Sequence, residues 1–98
     1  DFVQTVSSVY YSQHDNKSIA LKKIHYWLEH IRQRYYIATQ KLDDIFIQQV
    51  QRKSGVSKEL IEAILNNIKR AEAQPKVTDD LLLQLTGSID EFYQKSKI

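Results

Sequence analysis

Methionine and cysteine are both absent from this 98-residue chain. The lack of cysteine excludes disulfides, thiol nucleophiles and cysteine-bound metals, and it is compatible with a reducing compartment. A complete translation product normally begins with methionine, whereas this sequence begins at Asp1 with an amphipathic stretch already under way. We therefore expect the chain to be part of a longer protein or the processed product of a precursor.

Glycine and proline are also scarce, with two glycines and one proline in the whole chain. So few turn-forming residues favour helices over a turn-rich β fold. Two glycines cannot build a phosphate-cradling loop, and no Gly-x-Ser-x-Gly nucleophile motif is present. Apolar runs reach only about four residues, far short of a membrane span, and no signal-peptide pattern opens the chain. We expect a soluble, non-catalytic chain without a cofactor.

Apolar residues recur at three- and four-residue steps along most of the sequence, as they do on one face of a helix. We predict five helices, covering residues 2–13, 19–36, 44–54, 58–73 and 79–95. Each helix is too amphipathic to be stable alone in water, so the apolar faces are expected to cover one another. The predicted fold is an all-α, compact bundle of about five helices that occupies residues 1–98 as a single domain.

Three of the predicted helix starts share one capping arrangement. Asp43, Ser57 and Thr78 each stand where a side-chain oxygen can accept a hydrogen bond from the first turn of the following helix. An apolar residue precedes each cap, and another follows at the fourth helical position, which is the pattern of a hydrophobic staple. Gly87 conflicts with this regularity, because it lies inside the last predicted helix; the helix either continues through it or breaks there.

The segment around Gly55 resembles a helix-turn-helix corner, since a short turn with glycine joins two predicted helices. Gln51 and Ser54 depart from that motif, at positions where a small residue and an apolar residue are usual. A DNA-binding domain is therefore an alternative function, with Arg52, Lys53 and Lys58 as the candidate phosphate contacts.

Two acidic residues argue against DNA binding at this corner. Glu59 and Glu62 lie at the start of the helix that would enter the major groove. Carboxylates facing phosphates oppose the electrostatic attraction that supplies most of the affinity for DNA. A plain helical corner is the preferred interpretation, and nucleic acid is not expected to be the partner.

Charge is unevenly distributed along the chain although the net charge is only +2. Between residues 17 and 41, six basic residues accompany one acidic residue, whereas acidic residues outnumber basic ones from residue 72 to the end. The two regions either complement each other within one bundle or the basic helix docks an acidic partner or lipid head groups. The candidate partner-binding residues are Lys22, Lys23, Arg32 and Arg34.

Histidines and aromatic residues on the basic helix raise two further hypotheses. His25 and Glu29 share a helix face and could contribute two metal ligands, but a third ligand is not suggested nearby, so no metal site is predicted. Tyr26 and Trp27 among arginines could stack on single-stranded nucleic acid. Aromatic residues at helical spacing more often form a core with a polar tip in water, and this interpretation is preferred.

Several segments together resemble a known family: Asp15-Asn16-Lys17 before a long helix, Ile31–Ile37 at its end, Leu42-Asp43-Asp44, Lys53–Val56, and the closing Phe92-Tyr93. The chain is similar to the C-terminal soluble tail of a domain-of-unknown-function family of bacterial membrane-anchored proteins. Genes of that family tend to lie beside those of MoxR-type AAA ATPases and von Willebrand factor A-like proteins. The resemblance implies a transmembrane helix upstream of Asp1 and a cytoplasmic location, and it transfers no catalytic residues.

The leading functional hypothesis is a helical protein-interaction or structural domain that binds a protein partner as the cytoplasmic tail of a membrane-anchored parent. Besides DNA binding, a second alternative is a regulatory or assembly module of a larger enzyme. The sequence leaves the identity of the partner and the oligomeric state open.

Overall fold

Four α-helices form the fold in the computed structural model, which describes residues 15–96. They are α1 (Asn16–Tyr35), α2 (Asp44–Ser54), α3 (Lys58–Ala73) and α4 (Asp79–Lys95), and residues 15–96 contain no β-strand. The predicted all-α fold is confirmed for this part of the chain. The helix predicted over residues 2–13 lies outside the described residues.

The helix bounds agree with the predictions for α2, α3 and α4 and differ at both ends of α1. Helix α1 begins three residues earlier than predicted because the Asp15 carboxylate accepts a hydrogen bond from the Lys17 amide at 2.9 Å. It ends one residue earlier because Tyr36 adopts a left-handed conformation, with φ of 58°, and its amide donates to the Arg32 carbonyl.

All three predicted capping residues act as N-caps. The side-chain oxygens of Asp43, Ser57 and Thr78 accept hydrogen bonds from the amides at the third helical position, at 3.1–3.3 Å. The apolar residues of the three predicted staples are buried or half-buried; they are Leu42 with Ile47, Val56 with Ile61, and Val77 with Leu82. Gly55 ends α2 with φ of 77°, which glycine adopts without steric cost.

Trp27 occupies the centre of the core. Its side chain is fully buried, and its ring packs edge-on against Phe46 of α2 at 6.2 Å and Phe92 of α4 at 5.4 Å between centroids. Helix α1 contacts each of the other three helices, while α3 and α4 form the most extensive helix pair. The buried face of α1, formed by Ala20, Ile24, Trp27, Ile31 and Tyr35, is therefore the centre of the bundle.

Two buried polar side chains, Ser54 and Asn67, form hydrogen bonds inside the bundle. The Ser54 hydroxyl donates to the Val50 carbonyl at 2.6 Å and accepts from the Val56 amide at 3.1 Å, so serine fits where an apolar residue was expected. Gln51 is exposed, and its long side chain does not separate the helices. Asn67 of α3 donates to the Gln84 carbonyl and to Ser88 of α4.

Helix α4 continues through Gly87 without a break, which settles the ambiguity of the sequence. Gly87 is exposed, and a Cβ atom built there meets no other atom within 4 Å. Gly87→Ala is therefore expected to raise the free energy of unfolding by about 1 kcal/mol, because alanine loses less backbone entropy on entering a helix. Urea denaturation measures the change. Gly55→Ala is the opposite control, since its positive φ strains alanine; stabilisation by both substitutions, or by neither, would contradict the argument.

Candidate functional site

The four basic residues predicted to bind a partner do not form one surface. Lys23 forms an ion pair with Asp90 of α4 at 2.8 Å. Arg32 lies on the opposite flank of α1, where it pairs with Glu29 at 2.8 Å and donates to Thr39 in the following loop. The charge of Lys23 is therefore neutralised by a neighbouring helix of the same bundle. The charge of Arg32 is neutralised by a residue of its own helix.

The other two predicted residues, Lys22 and Arg34, are exposed and mark the ends of a continuous row on α1. Lys22, Tyr26, His30 and Arg34 follow each other at steps of four, which places them on one slowly turning line of an α-helix. We call this row the α1 stripe. Tyr26 is 64% exposed, and Arg34 lies near enough to His30 to affect its ionisation.

Tyr93 of α4 extends the α1 stripe sideways onto a second helix. The Tyr93 ring packs edge-on against the His30 imidazole, with 4.9 Å between ring centroids, and remains 39% exposed. Burial, and to a lesser degree the nearby Asp90 carboxylate, raise the pKa of Tyr93, so its phenol stays protonated and can donate a hydrogen bond. The combined surface presents two partly exposed phenols between two cations.

His30 is held in its neutral form by its surroundings. Its Nε2 atom is buried and has no hydrogen-bond partner within residues 15–96. Burial, followed by the positive charge of Arg34, lowers the pKa of His30 below its usual value. The α1 stripe therefore carries two positive charges at neutral pH, from Lys22 and Arg34, and an uncharged imidazole between them.

The lowered pKa of His30 predicts a loss of stability in mild acid. As pH falls through the ordinary histidine pKa, the unfolded chain binds a proton before folded His30 does, so unfolding becomes more favourable. The Tm of His30→Gln is therefore expected to fall less between pH 7.5 and pH 5.5 than that of the wild-type chain. Thermal unfolding followed by circular dichroism measures the difference, with His25→Gln as the control for removing an exposed imidazole from α1. An equal fall in Tm between these two pH values for His30→Gln and for the wild-type chain would exclude His30 as the cause of the loss of stability in acid.

An open groove of about 570 Å³ lies on the other side of α1. Leucines that pack on the core with one side and remain partly exposed on the other line it, namely Leu28, Leu42 and Leu65. Glu62, Lys69 and Glu72 of α3 add charged groups to its lining. Thr39, Gln40 and Asn66 also line it, so polar and charged residues slightly outnumber the aliphatic ones.

The helix-turn-helix-like corner is present, but one of its three candidate phosphate contacts is used by the fold. The Lys53 ammonium donates to the Tyr35 carbonyl at 2.8 Å and so caps the C-terminus of α1. Arg52 and Lys58 are exposed, as is Glu62. The remaining cations are thus accompanied by the carboxylates that weaken binding to DNA.

The residues considered as metal ligands have other contacts. Glu29 pairs with Arg32, and the His25 ring lies 5.8 Å from the Tyr26 ring. Among residues 15–96, no group of three or more histidine, cysteine, aspartate or glutamate side chains could hold a metal ion. Likewise, none of the helices in this range has the length and apolar character required to cross a bilayer.

Sequence reasoning missed His30 and Tyr93 as members of the candidate surface. The four-residue spacing of Lys22, Tyr26, His30 and Arg34 is a signal that could have found the α1 stripe. No local signal could have found Tyr93, because it reaches His30 only through the packing of α4 against α1.

The fold and these surfaces define a small all-α domain of the helical-bundle class. The chain belongs to the DUF4350 C-terminal helical domain family, whose model matches residues 3–96. This match agrees with the resemblance to the tail domain of a domain-of-unknown-function family. Neither the curated proteins nor the solved structures include a significant match to this chain.

Proposed function

We propose that this domain is a non-catalytic protein-binding module and that it binds an acidic segment of its partner through the α1 stripe and Tyr93. The single observation that carries the proposal is the placement of Tyr26 and Tyr93, both partly exposed, between the exposed cations Lys22 and Arg34. Tyrosine and arginine are enriched at protein interfaces, because they combine a large contact area with directed hydrogen bonds.

Charge supports an acidic partner. The ammonium of Lys22 makes no ion pair or hydrogen bond with residues 15–96, and the Arg34 guanidinium lies 5.8 Å from the Tyr35 ring centroid without a carboxylate partner in that range. Opposite charge on a partner would steer association and fix its register. The neutral His30 imidazole and the Tyr93 phenol supply the less polar centre that a stable interface requires.

We further propose that the domain is the cytoplasmic tail of a bacterial membrane-anchored protein. The C-terminal position stated in the family description supports a location at the end of a longer chain. A soluble tail joined to an anchor would bring its partner to the membrane surface. Protease protection of the intact parent protein in inverted membrane vesicles tests this location: digestion of the tail supports a cytoplasmic tail, and protection would contradict it.

Charge reversal on the α1 stripe tests the binding surface. Lys22→Glu with Arg34→Glu is expected to weaken binding of the partner by at least about tenfold, since two attractive contacts become repulsive. The experiment immobilises the wild-type domain to isolate a partner from lysate, and then measures the affinity of each variant for the purified partner.

Arg52→Glu with Lys58→Glu is the matched control, since it changes the same number of charges at exposed positions on the helix-turn-helix-like corner. Circular dichroism confirms that both double variants fold. Unchanged affinity in the α1 variant would contradict the proposal. If only the corner variant loses affinity, the partner binds at the helix-turn-helix-like corner and not at the α1 stripe.

A further inference from the structure

Helix α3 presents a row of side chains along the flank that points away from the bundle core. Five residues form this row at alternating steps of four and three positions, namely Lys58, Glu62, Leu65, Lys69 and Glu72. Residues at this spacing share one narrow face of an α-helix, as they do along the seam of a coiled coil. The four charged residues are exposed, and Leu65 is half-buried. We call this row the α3 seam.

The charges of the α3 seam are not neutralised within residues 15–96. The ion pairs in this range join only residues of α1 and α4. The α3 face that packs on the bundle is a different one, since Ile61, Ile64 and Ile68 are buried there. Intramolecular pairing therefore does not explain the order in which the four charges occur.

The order of these charges is complementary to its own reverse. From the start of α3 the signs run positive, negative, then Leu65, then positive and negative. Lys58 and Glu72 each lie seven positions from Leu65, while Glu62 and Lys69 lie three and four positions from it. Two identical α3 helices that cross antiparallel at Leu65 would therefore place every charge of the α3 seam opposite a charge of the other sign. A parallel arrangement would instead place like charges together, which is unfavourable.

The centre of the α3 seam offers apolar contact between the charges. Leu65 is half-buried and lines the groove together with Leu28 of α1, which also packs on the core with one side. The polar side chains of Gln40 and Asn66 lie in the same lining, so an apolar centre has a polar surround, as protein interfaces commonly do. The α3 seam is about 21 Å long at the helical rise of 1.5 Å per residue. An interface of this length is small, and we expect a reversible dimer with a Kd of roughly 100 μM.

We infer that the domain forms a symmetric homodimer in which the α3 seams of two copies pack antiparallel, with Leu65 at the two-fold axis. The occupant of the α3 seam is a second copy of this chain, because a two-fold interface requires one surface that is complementary to itself. Lys58 then pairs with Glu72 of the second copy, and Glu62 pairs with Lys69 of the second copy. The α1 stripe takes no part in this contact, so the dimer does not depend on the proposed function.

Charge exchange between Glu62 and Lys69 tests the dimer. Glu62→Lys alone, or Lys69→Glu alone, places like charges opposite each other on both sides of the two-fold axis, and each is expected to raise the Kd of the dimer at least about tenfold. An equimolar mixture of the two single variants restores opposite charges at both sites, so it is expected to associate with a Kd within about threefold of wild type. Analytical ultracentrifugation of the full 98-residue chain at low ionic strength, from about 10 μM to about 1 mM, measures the Kd values.

Asp80→Lys is the matched control, since it makes the same change of charge as Glu62→Lys at an exposed position on α4. Its dimer is expected to keep a Kd within about threefold of wild type. Weak association of each single variant together with recovery in the mixture supports the inference. A wild-type chain that stays monomeric at about 1 mM would overturn it, as would single variants that dimerise like wild type or a mixture that remains monomeric.

A second measurement uses only the wild-type chain and does not depend on the folding of variants. The NMR methyl signals of Leu65 are expected to shift as protein concentration rises, whereas those of Leu83, 68% exposed on α4, stay constant. Constant Leu65 signals over the same concentration range would overturn the inference. Lys22→Glu with Arg34→Glu leaves dimerisation unchanged, so failure of the partner-binding proposal is distinguishable from failure of the dimer.

Discussion

Trp27→Ala is expected to lower the free energy of unfolding by about 3–5 kcal/mol, the range for removing a large aromatic side chain from a packed core. Domains of this size are commonly stable by about 5–15 kcal/mol, so this loss removes a large part of the total stability. Trp27 contacts Phe46 of α2 and Phe92 of α4 edge-on, so its removal eliminates a packing contact of both helices. Urea denaturation followed by far-ultraviolet circular dichroism measures the change.

Tyr26→Ala is the matched control for Trp27→Ala, because Tyr26 is the adjacent aromatic residue on α1 and is 64% exposed. Its removal is expected to change the free energy of unfolding by less than about 0.5 kcal/mol, as for most surface substitutions. Comparable losses for the two variants would show that Trp27 is not the centre of the core. Tyr26→Ala also separates binding from folding, since it is expected to weaken partner binding in a chain of wild-type stability.

Lys17→Met is expected to produce the second-largest loss, about 2 kcal/mol. The Lys17 ammonium donates to three carbonyl oxygens at the end of α3, those of Ala71, Glu72 and Gln74. Hydrogen bonds from a charged donor contribute about 1.5–3 kcal/mol when buried, and partial exposure of this cluster reduces their sum. A positive charge also interacts favourably with the C-terminal end of the helix dipole. Methionine retains most of the apolar length of lysine, so the variant removes mainly the charge and its donors.

Lys22→Met controls for the loss of a positive charge from α1, since Lys22 is exposed and contacts no acceptor in residues 15–96. Its Tm is expected to remain within about 2 °C of wild type, whereas that of Lys17→Met falls by about 10 °C. High salt should reduce this difference, because part of the Lys17 contribution is electrostatic and partly exposed to solvent. Equal Tm values for the two variants would mean that water replaces the ammonium at the end of α3 without cost.

The starts of α2, α3 and α4 could be predicted because capping is a local interaction. Asp43, Ser57 and Thr78 each lie three residues before the amide that they bind, so the determining atoms are close in sequence. The start of α1 was less certain, because several polar residues precede it and any of them could act as the cap. Gly87 could not be decided locally either, since its helix penalty competes with the burial of Leu85 and Ile89 on the same helix.

Only Lys22 and Arg34 of the candidate surface could be predicted from the sequence, because the rest of the surface depends on how the helices pack. Lys22, Lys23, Arg32 and Arg34 were grouped because they are close in sequence, but adjacent positions on a helix point in directions about 100° apart. Lys23 pairs with Asp90, which is 67 positions away, and Arg32 folds back on Glu29. The partners that neutralise a basic residue depend on which helices pack together, and a single sequence does not supply that arrangement.

Periodicity, caps and scarce turn residues were sufficient to establish the all-α character of residues 15–96, the helices of residues 44–95 and the apolar faces that form their core. Each of these features depends on residues within about four positions of one another. Long-range packing alone decided that Lys17 and Lys53 cap neighbouring helices, that Lys23 is neutralised, and that Tyr93 joins the α1 stripe. It also created the groove between α1 and α3. These features join residues far apart in sequence, and their contacts arise only when burial of the apolar faces has determined how the helices are oriented.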